Sequence, residues 1–211
     1  MKTRLLTIFL LLSTLMFCTM CYAMEFQQPV NIGWYSNSRA GGPSKAVAQG
    51  YTSATSNTFT FGTGAHALTF KYKNNYGSMG GTSSSTQAVY IGKQAVPIKC
   101  YGYPDIYRIN STEGDVFYLG VGVMAGPHQV FALMGKCGSQ GYINAITMNN
   151  LTQYIKNLPY LDIPDARVLL EPYCQGNQII LPYTVRETNK TGRFVFTWDS
   201  RAKWFGISLI E

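Results

Sequence analysis

The chain has 211 residues, with 17 basic and 10 acidic side chains, a net charge of +7 and only 13% charged residues, about half the usual share. Gly, Ser, Thr, Asn and Tyr replace the missing charges, which suits an extracellular β-protein better than a cytosolic enzyme. No nucleotide-binding or catalytic signature stands out, and no long apolar stretch follows residue 24, so the sequence gives no sign of a helical membrane domain.

Lys2 and Arg4 open the chain, and an apolar run extends from Leu5 to about Met20. Cys21-Tyr22-Ala23 then offers small residues at −3 and −1 of a cut after Ala23, the order of a cleavable secretory signal peptide. Bulky Phe17 and Met20 precede Cys18 and Cys21, which argues against lipid attachment at either cysteine. Residues 1–23 are therefore expected to be removed. The remaining residues 24–211 are expected to be secreted or periplasmic, as one β-rich domain with no membrane span. Without Lys2 and Arg4, 15 basic residues face 10 acidic ones, a net +5.

That charge is uneven. No acidic residue occurs between Glu25 and Asp105, a stretch holding Arg39, Lys45, Lys71, Lys73, Lys93 and Lys99. From Asp105 to Glu211 nine basic residues balance nine acidic ones. Residues 26–104 thus form a basic half and 105–211 a neutral half. A surface built from the first attracts polyanions, although scattered lysines also serve simply to keep a polar region soluble.

Val30 to Trp34 reads as a short strand, Arg39 to Pro43 as a glycine-rich turn, and Ser44 as the cap of one helical turn ending at Gly50. Thr58-Phe59-Thr60-Phe61 and Ala67 to Lys73 alternate with period two around Gly62-Thr63-Gly64 and predict a hairpin. In its second strand Leu68, Phe70 and Tyr72 share one face, and Thr69, Lys71 and Lys73 the other. Asn74 to Thr86 is a low-complexity Asn/Gly/Ser segment, expected to be a loop and a contact site. Strands follow at Gln87 to Ile91, Ala95 to Cys100 and Ile106 to Ile109. Val116 to Met124 and Gln129 to Met134 form a central hairpin, and Tyr142 to Met148 continues it. Asn149 or Asn150 caps a helix over Leu151 to Leu158 that Pro159 ends. Val168 to Leu170 is a short strand. Gln178 to Arg186, Arg193 to Trp198 and Trp204 to Ile210 make a three-stranded meander. The total of nine or ten short strands and one short helix predicts an all-β antiparallel sandwich or barrel, with a small propeller-like meander as the alternative.

The chemistry is sparse. Cys100, Cys137 and Cys174 remain after cleavage, so in an oxidising compartment two can pair and one is left over. All three are disulfide candidates, and Cys137, in a glycine-flanked turn, is the foremost. The same turn raises a hydrolase alternative, with Cys137 or Ser139 as nucleophile and His128 as base. His66 and His128 are the only histidines, and no ligand spacing suggests a metal. Glu113 with Asp115 and Asp162 with Asp165 are paired carboxylates in polar turns, where acids commonly serve the turn itself. Three Asn-x-Thr triplets begin at Asn110, Asn150 and Asn189 and would matter only in a glycosylating pathway.

The expectation is a non-enzymatic exported binding domain, without cofactor, whose ligand is a cell-surface or polyanionic component. Arg39, Lys71, Lys73, Tyr76, Lys93, Tyr101 and Tyr103 are its candidate contact residues. A secreted hydrolase and a structural subunit that assembles through an exposed sheet edge are the alternatives.

Overall fold

The computed structural model describes residues 24–32, 51–55, 58–76, 82–98, 105–123, 129–137, 142–147 and 167–211. The helical turn over 45–49, the helix over 151–158, and Arg39, Cys100, Tyr101, Tyr103, His128 and Ser139 lie outside the described residues.

Among the described residues, fifteen strands and one 3₁₀ turn, Gly64–His66, follow in chain order. The fold is an antiparallel all-β sandwich of three five-stranded sheets. The outer basic sheet is β2 (Tyr51–Thr55), β3 (Thr58–Phe61), β4 (Leu68–Tyr76), β5 (Thr82–Ile91) and β6 (Gln94–Val96), in that order. The central sheet runs β1 (Val30–Asn31), β7 (Asp105–Asn110), β8 (Val116–Val123), β9 (Gln129–Cys137), β10 (Tyr142–Thr147). The third sheet pairs β11 (Arg167–Leu169) and β12 (Tyr173–Gln175) with β13 (Gln178–Val185), which continues into β14 (Thr191–Asp199) and β15 (Trp204–Ile210).

The central sheet is buried on both faces, and its sequence shows why. On β7 to β10, Tyr107, Ile109, Phe117, Leu119, Phe131, Leu133 and Ile146 pack toward the third sheet. The alternate residues Ile106, Val116, Tyr118, Ala132, Met134 and Ala145 pack toward the basic sheet. A strand covered on both sides has no place for a solvated polar row, so it reads as a near-continuous apolar run. That is the character of Val116–Val123 and of Val130–Met134.

The two faces differ in size. Ala132 and Ala145 are small, and the basic sheet fills the space above them with Phe59, Phe61, Leu68 and Phe70. Large residues on one sheet against small ones on its neighbour keep the layers at the usual spacing of about 10 Å. On the other face Phe117 is the hub. Its ring lies 5.6 Å from Phe26, 5.6 Å from Trp198 and 5.1 Å from Phe205, centre to centre, mostly edge to face. Gly135, its cross-strand partner, makes that placement fit, because a Cβ there would overlap the Phe117 ring.

The segment from Met24 to Asn31 ties two sheets together. Phe26 N–H donates to the Gly176 carbonyl at 2.9 Å, and Gln27 N–H to the Asn110 carbonyl at 2.9 Å. The Gln28 side chain grips Cys174 from both sides: its Nε2 donates to the Cys174 carbonyl at 2.8 Å and its Oε1 accepts from the Cys174 N–H at 3.0 Å. Met24, the residue just after the expected cut, is 2% exposed.

Two sequence expectations, a loop over Asn74 to Thr86 and a total of nine or ten strands, need correction. Asn74 to Thr86 is mostly paired strand: Asn74 stands opposite Ser84 and Tyr76 opposite Thr82, with 77–81 outside the described residues. Backbone ladder hydrogen bonds need no apolar side chains, so a polar ribbon can extend past the edge of the core. Tyr51 to Thr55 and Tyr173 to Gln175 are strands as well, hidden from pattern reading by their Ser/Thr content and short length. The strand total accordingly exceeds nine or ten.

Gly135→Ala is expected to lower stability by about 1–3 kcal/mol, the cost of overfilling a packed core. At Gly206 a Cβ would meet nothing closer than the Thr197 carbonyl oxygen at 3.9 Å, so Gly206→Ala should stay within about 0.5 kcal/mol of the parent. Urea unfolding followed by tryptophan fluorescence compares the two.

Candidate functional site

Pleating sorts the basic sheet cleanly. Phe59, Phe61, Leu68, Phe70, Val89 and Ile91 enter the core, while Thr58, Thr60, Thr69, Lys71 and Tyr90 keep some or all of their exposure. Register sets the outward residues in rows across the sheet. Thr60 faces Thr69, Thr69 faces Tyr90, and Tyr90 faces Ala95. Beside that row, Thr58 faces Lys71 and Lys71 faces Ala88.

Two contacts organise this face. The Thr60 and Thr69 hydroxyls lie 3.0 Å apart in a hydrogen bond. Lys71 Nζ sits 5.1 Å from the centre of the Tyr90 ring, within cation–π range. The methyl of Ala88 leaves Lys71 room to lean diagonally onto that ring. Lys73 follows two residues along β4, about 7 Å further on. Gln87 is an extra residue in β5 between the pairs Lys71–Ala88 and Tyr72–Thr86, a β-bulge.

Lys93 occupies the β5–β6 turn at the opposite end. Gly92 precedes it at φ +58°, and a Cβ there would run into the Ala65 carbonyl oxygen. Its N–H donates to the Ala67 carbonyl at 2.7 Å. The β5–β6 turn is therefore locked against the β3–β4 turn. From Lys93 past Lys71 to Lys73 the lysines are strung along about 20 Å of hairpin. No carboxylate occurs between residues 51 and 98, so the sheet supplies no internal counter-charge.

The basic sheet is held down by a polar clamp as well as by its core. The Tyr118 hydroxyl, from the central sheet, donates to the His66 carbonyl at 2.5 Å. Burial raises the Tyr118 phenol above its ordinary range, partly offset by the nearby Arg108 guanidinium.

The structure thus gathers Lys71, Lys73, Tyr76 and Lys93 on one hairpin with its following turn. Sequence reasoning missed Tyr90, Thr60 and Thr69. Two period-two strands were visible at Thr58–Phe61 and Ala67–Lys73, but the identity of cross-strand neighbours needs the register.

The cysteines stand differently. Cys137 ends β9 opposite Tyr142. Cys174 is a free thiol, 5% exposed, in the inner core. Burial pushes its pKa up to about 12.

The paired carboxylates Glu113 and Asp115 belong to the β7–β8 turn. There Asp115 N–H donates to Ser111 Oγ at 2.9 Å and Ser111 N–H to the Asp115 carbonyl at 2.9 Å. A second acidic neighbourhood surrounds Tyr107. Its phenol is raised first by burial and then by the charges of Asp105 and Glu171, while Asn31 hydrogen-bonds to it. Asp105 is itself raised by burial. Among the described residues, no group of three His, Cys, Asp or Glu side chains is placed to hold a metal ion. Also among these, no helix is long and apolar enough to cross a membrane.

No protein-family model, curated protein or solved structure matches the chain.

Tyr118→Phe should cost about 0.5–1.5 kcal/mol in urea unfolding, the net worth of one hydrogen bond, and raise amide exchange in β3 and β4. Alkylation at pH 8 with peptide-level mass spectrometry should leave Cys174 unmodified in native protein and modified in urea. With the thiol pKa near 12, only about one molecule in 10⁴ carries the thiolate at that pH.

Proposed function

We propose that the protein is an exported, non-enzymatic binding domain that engages a polyanionic surface component through the outer face of the basic sheet. The observation that carries this reading is a carboxylate-free sheet presenting Lys71 on Tyr90 beside a row of threonine hydroxyls. Lysine positions strung along one hairpin suit an extended anionic polymer better than a compact ligand. An anion meeting Lys71 keeps the Tyr90 ring beneath the ammonium, since the ring engages it from the other side. Threonine hydroxyls and Tyr90 would supply hydrogen bonds and a flat apolar surface to the sugar units of an acidic polysaccharide. Export rests on the order of charge, apolar run and small residues in 1–23, and it places the domain where such polymers occur.

Retention on immobilised heparin tests the proposal. The protein should bind at low salt and elute as sodium chloride rises, because exposed charge pairs are screened. The triple variant Lys71→Ala, Lys73→Ala, Lys93→Ala should bind about 10-fold or more weakly, given the modest worth of each exposed pair. The variant Arg186→Ala, Lys190→Ala, Arg201→Ala removes the same net charge from the third sheet and should bind like the parent. Equal loss in both variants, or binding indifferent to salt, would contradict the assignment.

A further inference from the structure

The residues that follow the expected cut at Ala23 enter the core without a spacer. Met24 and Phe26 both belong to the inner core cluster. The Phe26 ring lies 5.6 Å from Phe117 of the central sheet and 5.6 Å from Phe205 of the third, centre to centre.

The main chain is committed as fully as the side chains. Glu25 N–H donates to Thr112 Oγ1 at 3.1 Å, and the Glu25 carbonyl accepts from Thr112 N–H at 2.9 Å. Phe26 N–H is taken by the Gly176 carbonyl and Gln27 N–H by the Asn110 carbonyl. The Gln28 amide closes on both main-chain groups of Cys174. Residues 24–28 are thus a strap held on one side by the end of β7 and the β7–β8 turn, and on the other by β12 and the β12–β13 turn.

A protease that cuts within a chain receives its substrate as an extended strand, pairing with the main chain on both sides of the bond to be broken. The docked strap offers no such strand. The Met24 side chain is inside the core, and the Glu25 N–H and carbonyl already have partners.

We propose that docking of residues 24–28 ends the access of the processing protease to the Ala23–Met24 bond, so that cutting has to precede closure of the strap. The inference rests on the export reading. The cut is a hydrolysis: water adds across the amide, leaving a carboxylate on Ala23 and a new ammonium group on Met24. A chain cut first closes its strap as a free domain. A chain that closes first keeps residues 1–23 as an anchor, with no spacer between that anchor and the core. One sequence therefore has two end states, and the order of cutting and docking selects between them.

Detergent-solubilised signal peptidase acting on the purified full chain tests this, with mass spectrometry locating the cut. The substrates are the folded parent, the parent diluted from urea straight into the protease, and a folded variant with six glycine and serine residues inserted between Ala23 and Met24, a spacer of about 20 Å when extended. The folded parent should be cut about 10-fold or more slowly than either of the others, because cleavage then draws only on molecules whose strap is undocked. Gln28→Ala, which releases the strap from Cys174, should be cut faster than the folded parent. Circular dichroism establishes that the parent and both variants are equally folded. A folded parent cut as fast as the insertion variant would overturn the inference and leave the export reading standing. A urea-diluted parent that is not cut after Ala23 would remove the export reading and the inference with it.

Discussion

Everything in this molecule depends on a sheet that must be dry on both sides. β7 to β10 carry apolar residues at odd and even positions alike, and neither face can be left to water. One covering layer would leave either Phe117, Leu119 and Leu133 or Tyr118, Met134 and Ile106 exposed. The fold answers with a second outer sheet, and the three layers follow from that. Burying the main chain of β7, β8 and β9 is tolerable because β8 and β9 are paired on both sides and β7 lies between β8 and the short edge strand β1, which satisfies their N–H and C=O groups.

The two outer layers meet this demand differently. The third sheet contributes bulk and aromatic contacts, with Trp198, Trp204 and Phe205 clustered on Phe117 and Phe26. The basic sheet contributes a compact set of phenylalanine and aliphatic side chains to a shallower face. Its outward face is polar and positively charged for a simple reason. Threonine and lysine satisfy strand geometry and solvation together, and nothing in residues 51–98 supplies an opposing carboxylate. This asymmetry between the layers, and not a pocket or a reactive cluster, is the feature on which the proposed binding role rests.

Much of this was legible along the chain. The alternation at Thr58–Phe61 and Leu68–Lys71 predicted which residues face inward, and Leu68 and Phe70 are fully buried while Lys71 is exposed. The Val116 hairpin and the terminal meander read clearly because β-branched and aromatic residues dominate them. Low apolar content makes Asn74 to Thr86 read as a loop, whereas the pairing of Asn74–Tyr76 with Thr82–Ser84 comes from the backbone. Tyr173–Gln175 is too short, at three residues, to show a period. The double-sided burial of Val116–Val121 is present as an unbroken apolar run, but a run of that kind does not say whether one layer or two will cover it.

Local composition and period two were sufficient to determine that the protein is built of antiparallel strands, that one half of the chain carries the positive charge, and that Leu68 and Phe70 oppose Lys71 across the pleat. These properties are local, since each depends on residues one or two positions apart. Only the tertiary structure decided that Lys71 rests on Tyr90, that Gln28 clasps Cys174 across 146 positions, and that Phe117 lies against Gly135. Those contacts depend on register and on which sheet stacks on which, and both are settled by the joint packing of side chains far apart in the chain.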